Sequence, residues 1–133
     1  MSILDDIRRF LEERELSVEA SNEEVYGTHT SIPVSITIGI GGDDIVEIRL
    51  EAGDDLRDAL IELIESGEDV RGIVDDVLSE LRDTAIELQK MLEDKGYRVE
   101  ISLREGENDV KDILDEVIEE YRDMIEEVEE EEY

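Results

Sequence analysis

The sequence predicts a single α+β domain, a four-stranded antiparallel sheet with helices packed on one face. Apolar residues alternate with polar ones in several short runs, and each run is apolar on one side only. They return at three- and four-residue spacing in four other segments, the period of a helix with one buried face. A chain of 133 residues is one ordinary domain with room for a core of its own, so the domain is taken to span residues 1–133.

Ile3, Leu4, Ile7, Phe10 and Leu11 predict a short amphipathic helix, opened by the capping-type pair Ser2 and Asp5 and ending near Glu13. From Leu16 the period drops to two, and Leu16, Val18 and Ala20 mark a first strand. Residues 25–40 predict one long strand, with Ile32, Val34, Ile36, Ile38 and Ile40 on one face and Pro33, Ser35, Thr37 and Gly39 on the other. Pro33 marks that strand as an edge or a bulge, because it has no N–H to give a ladder. Gly41, Gly42, Asp43 and Asp44 form a turn into Val46, Ile48 and Leu50, which alternate with Glu47, Arg49 and Glu51 and complete a hairpin. A second helix covers about residues 54–66 through Leu56, Ala59, Leu60, Leu63 and Ile64. The longest helix follows from Val70 to Leu92, closed by Lys90, Lys95 and Gly96. Tyr97, Val99, Ile101 and Leu103 form the last strand. Asn108 caps a final helix that carries Val110, Ile113, Leu114, Val117, Ile118, Tyr121, Ile125 and Val128. The predicted order is α-β-β-β-α-α-β-α, with an acidic tail at 129–133 expected to fray.

Composition constrains function more than any motif does. There are 42 acidic and 13 basic residues, a net charge of -29, which implies strong self-repulsion wherever salt does not screen it. The apolar content rests on 16 Ile, 13 Leu and 11 Val against one Phe and no Trp, so the core must be aliphatic. The basic residues are 10 Arg and 3 Lys, whereas heat adaptation is marked by Lys together with Glu. Acid-rich and lysine-poor together point to a cytoplasm holding molar salt, where repulsion is screened and the surface must stay hydrated.

Several chemistries lack their groups. Without cysteine there is no disulfide, thiolate nucleophile or Cys-ligated metal. No apolar h-region opens the chain and no run of about 18 apolar residues interrupts it, so an untethered, cytoplasmic protein is expected. The acidic pairs Asp5 and Asp6, Asp43 and Asp44, Asp54 and Asp55, and Asp75 and Asp76 match no calcium-loop spacing, and chance supplies such pairs in a chain this acidic. His29 is the sole histidine, placed in a strand between Thr28 and Thr30, and no nucleophile-elbow pattern surrounds any hydroxyl. The glycines at 39, 41 and 42 lack the lysine and the helix of a phosphate loop. Direct nucleic-acid binding needs a basic patch, and no segment supplies one. The inverse is mimicry of nucleic acid by carboxylates. Residues 100–133 hold 16 acids against 8, 9 and 9 in the three preceding quarters, which singles out the last helix, Val110 to Glu127, for that role.

The succession of one helix, a three-stranded meander opening at Leu16, a long helical region and a C-terminal amphipathic helix resembles the type III secretion chaperone fold, whose members are also small and acidic. The resemblance implies a homodimer that binds an extended partner segment along its sheet and helices. The first five elements also follow the order of the double-stranded RNA-binding domain, which depends on basic residues that this chain lacks.

The reading favoured by the sequence is a non-enzymatic, protein-binding or chaperone-like module of a salt-adapted cell or its virus, with no cofactor and no metal. Its partner is a protein, a second copy included, taken up by strand addition at a sheet edge. The long strand outruns its hairpin partner, which leaves the backbone between Val25 and Ser31 for another chain, and Val25, Tyr26, Thr28, Thr30 and Tyr121 are the expected contact residues. An acidic nucleic-acid mimic is the alternative, and an enzyme with a carboxylate-bound metal comes last.

Overall fold

A computed structural model describes residues 3–21, 23–41 and 44–122. Helix α1 (Ile3–Glu13) buries Ile7 and Leu11, the centre of its apolar stripe. Four strands follow as an antiparallel meander: β1 (Ser17–Ala20), β2 (Glu24–Thr28), β3 (Val34–Ile40) and β4 (Ile45–Ala52). Helices α2 (Leu56–Glu65) and α3 (Val70–Asp94) then carry the chain to β5 (Arg98–Ser102), and α4 (Arg104–Glu120) ends the described fold. The sheet order is β1-β2-β3-β4-β5, with β5 parallel to β4.

Pairing register sorts the strand residues onto two faces. Val18, Gly27, Ile36, Leu50 and, one step along, Val25, Ile38, Ile48 and Ile101 point to the same side. Helices α1 and α3 pack there, α1 on β1 and β2 and α3 on β3 and β5, while α4 lies against β4 and α2 is held between α3 and α4. All of the fully buried apolar side chains are aliphatic, as the composition requires; Phe10 and Tyr97 only pack against their edge. Burying each Leu, Ile or Val contributes about 1.5–3 kcal/mol, so this single layer supplies the bulk of the stabilisation.

Helix ends are set locally. The Asp69 carboxylate caps α3 by accepting from the Gly72 N–H at 3.3 Å. At its other end the Gly96 N–H donates to the Glu93 carbonyl and the Tyr97 N–H to the Leu92 carbonyl, both at 3.0 Å, which closes a Schellman motif. That motif needs a left-handed residue, and Gly96 takes φ +95° without a side-chain penalty.

The structure corrects the predicted fold in three places. Residues 25–40 are two strands and not one, so the sheet has five strands and the order is α-β-β-β-β-α-α-β-α. Residues 29–33 turn the chain, the His29 N–H donating to the Val34 carbonyl at 3.0 Å to close the hairpin. Ile32 keeps the strand's phase only because the loop folds it inward, where it is 2% exposed. Second, β5 is parallel, because the two helices between β4 and β5 return the chain to the end of the sheet where β4 began; an antiparallel neighbour follows from a short turn. Third, α4 starts at Arg104, so Asn108 sits inside the helix instead of capping it. Gly42, Asp43 and the acidic tail at 129–133 lie outside the described residues.

The early start of α4 rests on one close approach. A Cβ on Gly106 would fall on the carbonyl oxygen of Leu50, so only glycine lets the first turn of α4 lie on the end of β4. Gly106→Ala is therefore expected to cost at least about 2 kcal/mol in urea unfolding at fixed salt, overpacking outweighing alanine's better helix propensity. Gly39→Ala, whose new Cβ would meet only the Glu24 carboxylate at 3.9 Å, is the control and should stay within about 0.5 kcal/mol.

Candidate functional site

No helix of the described residues packs over the second face of the sheet. One row across it runs Glu19, Tyr26, Thr37, Arg49 and Ser102, each residue opposite the next on the adjacent strand. The flanking rows hold Glu24, Gly39, Glu47 and Glu100 on one side and Ser17, Thr28, Ser35 and Glu51 on the other. Thr37, between Tyr26 and Arg49, is only 3% exposed although no helix among the described residues covers it. The Thr28 and Ser35 hydroxyls are hydrogen-bonded at 2.8 Å. Arg49 reaches Glu24 at 3.6 Å and Glu51 at 3.9 Å, while its Nε is buried without an acceptor. At these separations the pairs contribute little to stability, but they place a cation among carboxylates that would otherwise repel one another.

The expected contact residues do not form one patch. Tyr26 and Thr28 are half-buried on the bare face, whereas Val25 points into the core and is fully buried. Thr30 lies in the loop beyond β2, and Tyr121 is the C-cap of α4, packed against the margin of the core. The backbone between Val25 and Thr28 is not a free edge either: β2 is an inner strand, paired with β1 on one side and β3 on the other. The outer strands are β1 and β5. The misplaced edge follows from reading β2 and β3 as one strand, since the meander needs a strand on each side of β2.

His29 is the first residue after β2 and not a strand residue, and its side chain is 13% exposed. Nε2 lies 2.5 Å from the Glu80 carboxylate of α3, and Nδ1 accepts from the Ser31 N–H at 3.0 Å. Both ring nitrogens are thus engaged, and this pattern assigns the neutral ring's proton to Nε2. Arg14, Glu15 and Thr30 line the same small cleft, with the Arg14 guanidinium 5.0 Å above the Phe10 ring and ion-paired to Glu87. A general base needs a free lone pair, and in this geometry His29 has none. The histidine ties the β2–β3 loop to α3.

A second concavity lies where β4 runs on past the end of β5 and meets α4. It is an open groove of about 430 Å³, with Leu50, Ala52 and Ile113 as apolar lining and Glu51, Asp109 and Asp112 as carboxylates. Sequence reasoning misses it, because a helix that begins at Asn108 gives Asp109 and Asp112 no position relative to β4. Helical spacing does put those two acids on one side of α4, the one signal that could have found them. Nearby, Arg57 of α2 is bonded to Glu120 and lies 3.7 Å from Glu116. The Glu120 hydrogen bond first, and its charge second, hold the Arg57 guanidinium above its already high usual range.

The His29 geometry predicts that long-range nitrogen–proton NMR spectra of the neutral ring show the Nε2–H tautomer. An Nδ1–H tautomer would contradict the assignment. No protein-family model matches the chain, and neither a curated protein nor a solved structure was found that matches it.

Proposed function

We propose that the chain is a non-enzymatic protein-binding module of a salt-adapted cell or its virus. The observation that carries this reading is the bare sheet face, whose central row of Tyr26, Thr37 and Arg49 is half-buried or buried although no helix among the described residues packs over it. Among the described residues Ile86 is the only large apolar side chain exposed, at 39%, so polar and charged groups would mediate most contacts. The free edge of β1, residues Ser17–Ala20, replaces the segment at Val25 as the place for strand addition, including addition of a second copy. The resemblance to secretion chaperones implies the same use of a sheet by an extended partner.

One feature favours the mimic as a second reading. Glu105, Asp109, Asp112, Glu116 and Glu119 are exposed and follow one another at three- and four-residue steps along α4, which makes a line of carboxylates about 21 Å long. Residues 123–127 of the segment Val110 to Glu127 lie outside the described residues.

Circular dichroism and light scattering across a salt series from about 0.05 M to 3 M separate the two. Adaptation predicts that unfolding free energy rises with salt and that any dimer forms only at the high end. A chain equally stable and monomeric throughout would defeat the salt-adapted reading and leave the carboxylate line on α4 to explain the acidity.

A further inference from the structure

The groove between β4 and α4 combines two features that point to one kind of occupant. Its lining has an apolar part, Leu50, Ala52 and Ile113, and an acidic part, Glu51, Asp109 and Asp112. The acids of α4 differ in what they face. Glu107 is held by Arg82 at 2.8 Å and Glu116 and Glu120 by Arg57, whereas no cation among the described residues pairs with Asp109 or Asp112. Glu51 has only the 3.9 Å approach of Arg49. The groove therefore holds carboxylates left unneutralised beside apolar surface.

A bare metal ion does not suit it. No group of three or more carboxylates or imidazoles among the described residues is placed to hold one, and a metal gains nothing from an aliphatic lining. A second copy of this groove would bring carboxylates against carboxylates, and a nucleic acid or an anionic membrane would be repelled in the same way. What fits is a cation at the end of an aliphatic stem, the stem lying along the half-buried Ala52 and Ile113 and the charge beside Asp109, Asp112 and Glu51. The volume, about 430 Å³, falls in the range of roughly 300–1,000 Å³ that small-ligand sites occupy. Glu51 also belongs to the bare sheet face, so an occupant of the groove continues onto that face.

We infer that the β4–α4 groove is a docking site for a lysine or arginine side chain on a basic, extended segment of a protein partner. The inference rests on the protein-binding reading above and adds the chemistry of the partner.

Binding of a hexalysine peptide, measured calorimetrically at the lowest salt at which the chain is folded, tests it. Asp109→Asn with Asp112→Asn should weaken binding at least about tenfold. Asp75→Asn with Asp76→Asn, which removes the same charge from an exposed part of α3, should weaken it less than about twofold. A hexamer of diaminopropionic acid, equally charged but without the aliphatic stem, should bind the native chain more weakly than hexalysine. Equal losses in the two double variants would overturn the site and leave only the attraction of a polyanion for a polycation. Equal affinity for the two peptides would overturn the role of the apolar lining, and absence of hexalysine binding would overturn the proposal outright. Circular dichroism of each variant shows whether a loss comes from unfolding. The salt series does not involve Asp109 or Asp112, so a failure here with a positive result there removes the groove and keeps the salt-adapted reading.

Discussion

Val25, Ile36, Ile38, Val46, Ile48 and Leu50 form a continuous aliphatic surface on one side of the sheet, and the remaining elements are arranged to keep water from it. The strand residues that face the other way, Glu19, Tyr26, Thr37, Arg49 and Ser102 in the central row, are polar and offer no second such layer. Helices α1, α3 and α4 can therefore cover one face and only one. The other face must be polar, since apolar area exposed there would cost about 25 cal/mol per Å². The bare face is in this sense a consequence of the core.

With a net charge of -29, the few cations matter by position more than by number. Lys95 joins the end of α3 to Asp6 of α1, Arg14 joins the end of α1 to Glu87 of α3, Arg82 joins α3 to Glu107 of α4, and Arg57 joins α2 to α4. Arg8 with Glu12 is a pair within one helix. Exposed pairs contribute about 0–1 kcal/mol each, and none of these is strong alone. Each one nevertheless places positive charge where two acidic helices come together, which is where like-charge repulsion would be largest. Salt screens both the repulsion and its remedy. For a fold held by aliphatic burial and opposed by its own charge, stability is expected to rise with ionic strength, which is what the proposed salt adaptation requires.

The polar features divide by whether their hydrogen-bonding capacity is already spent. His29 has each ring nitrogen engaged, by Glu80 and by the Ser31 amide, and the Thr28 and Ser35 hydroxyls satisfy each other. These groups fix the β2–β3 loop and the strands that enter it. Asp109 and Asp112 have no such partner among the described residues, and they are exposed at the rim of an open groove that also has apolar lining. The same residue type, plentiful along the whole chain, is solvated surface in most places and a candidate contact in this one.

Periodicity was sufficient for the helices, for the one-sided strands and for an aliphatic core, because burial of one face is written into the spacing of apolar residues wherever the element lies. Thus Ile7 and Leu11, the stripe of α3 from Val70 to Leu92, and the alternation from Val46 to Leu50 are all buried as their spacing requires. The sequence also determined the charge and the lack of cysteine chemistry, which depend on composition alone. Tertiary structure decided what depends on neighbours. Period two continues across Ile32 and Val34 whether or not the chain turns between them, and the turn is visible only in the bonds from His29 to Val34 and from Ser31 to His29. The parallel sense of β5 and the inner position of β2 are pairing facts, set by strands far apart in the chain. The β4–α4 groove exists because Gly106 rests on Leu50, a contact between residues that no local pattern links, and that approach is what brings Asp109 and Asp112 beside Glu51.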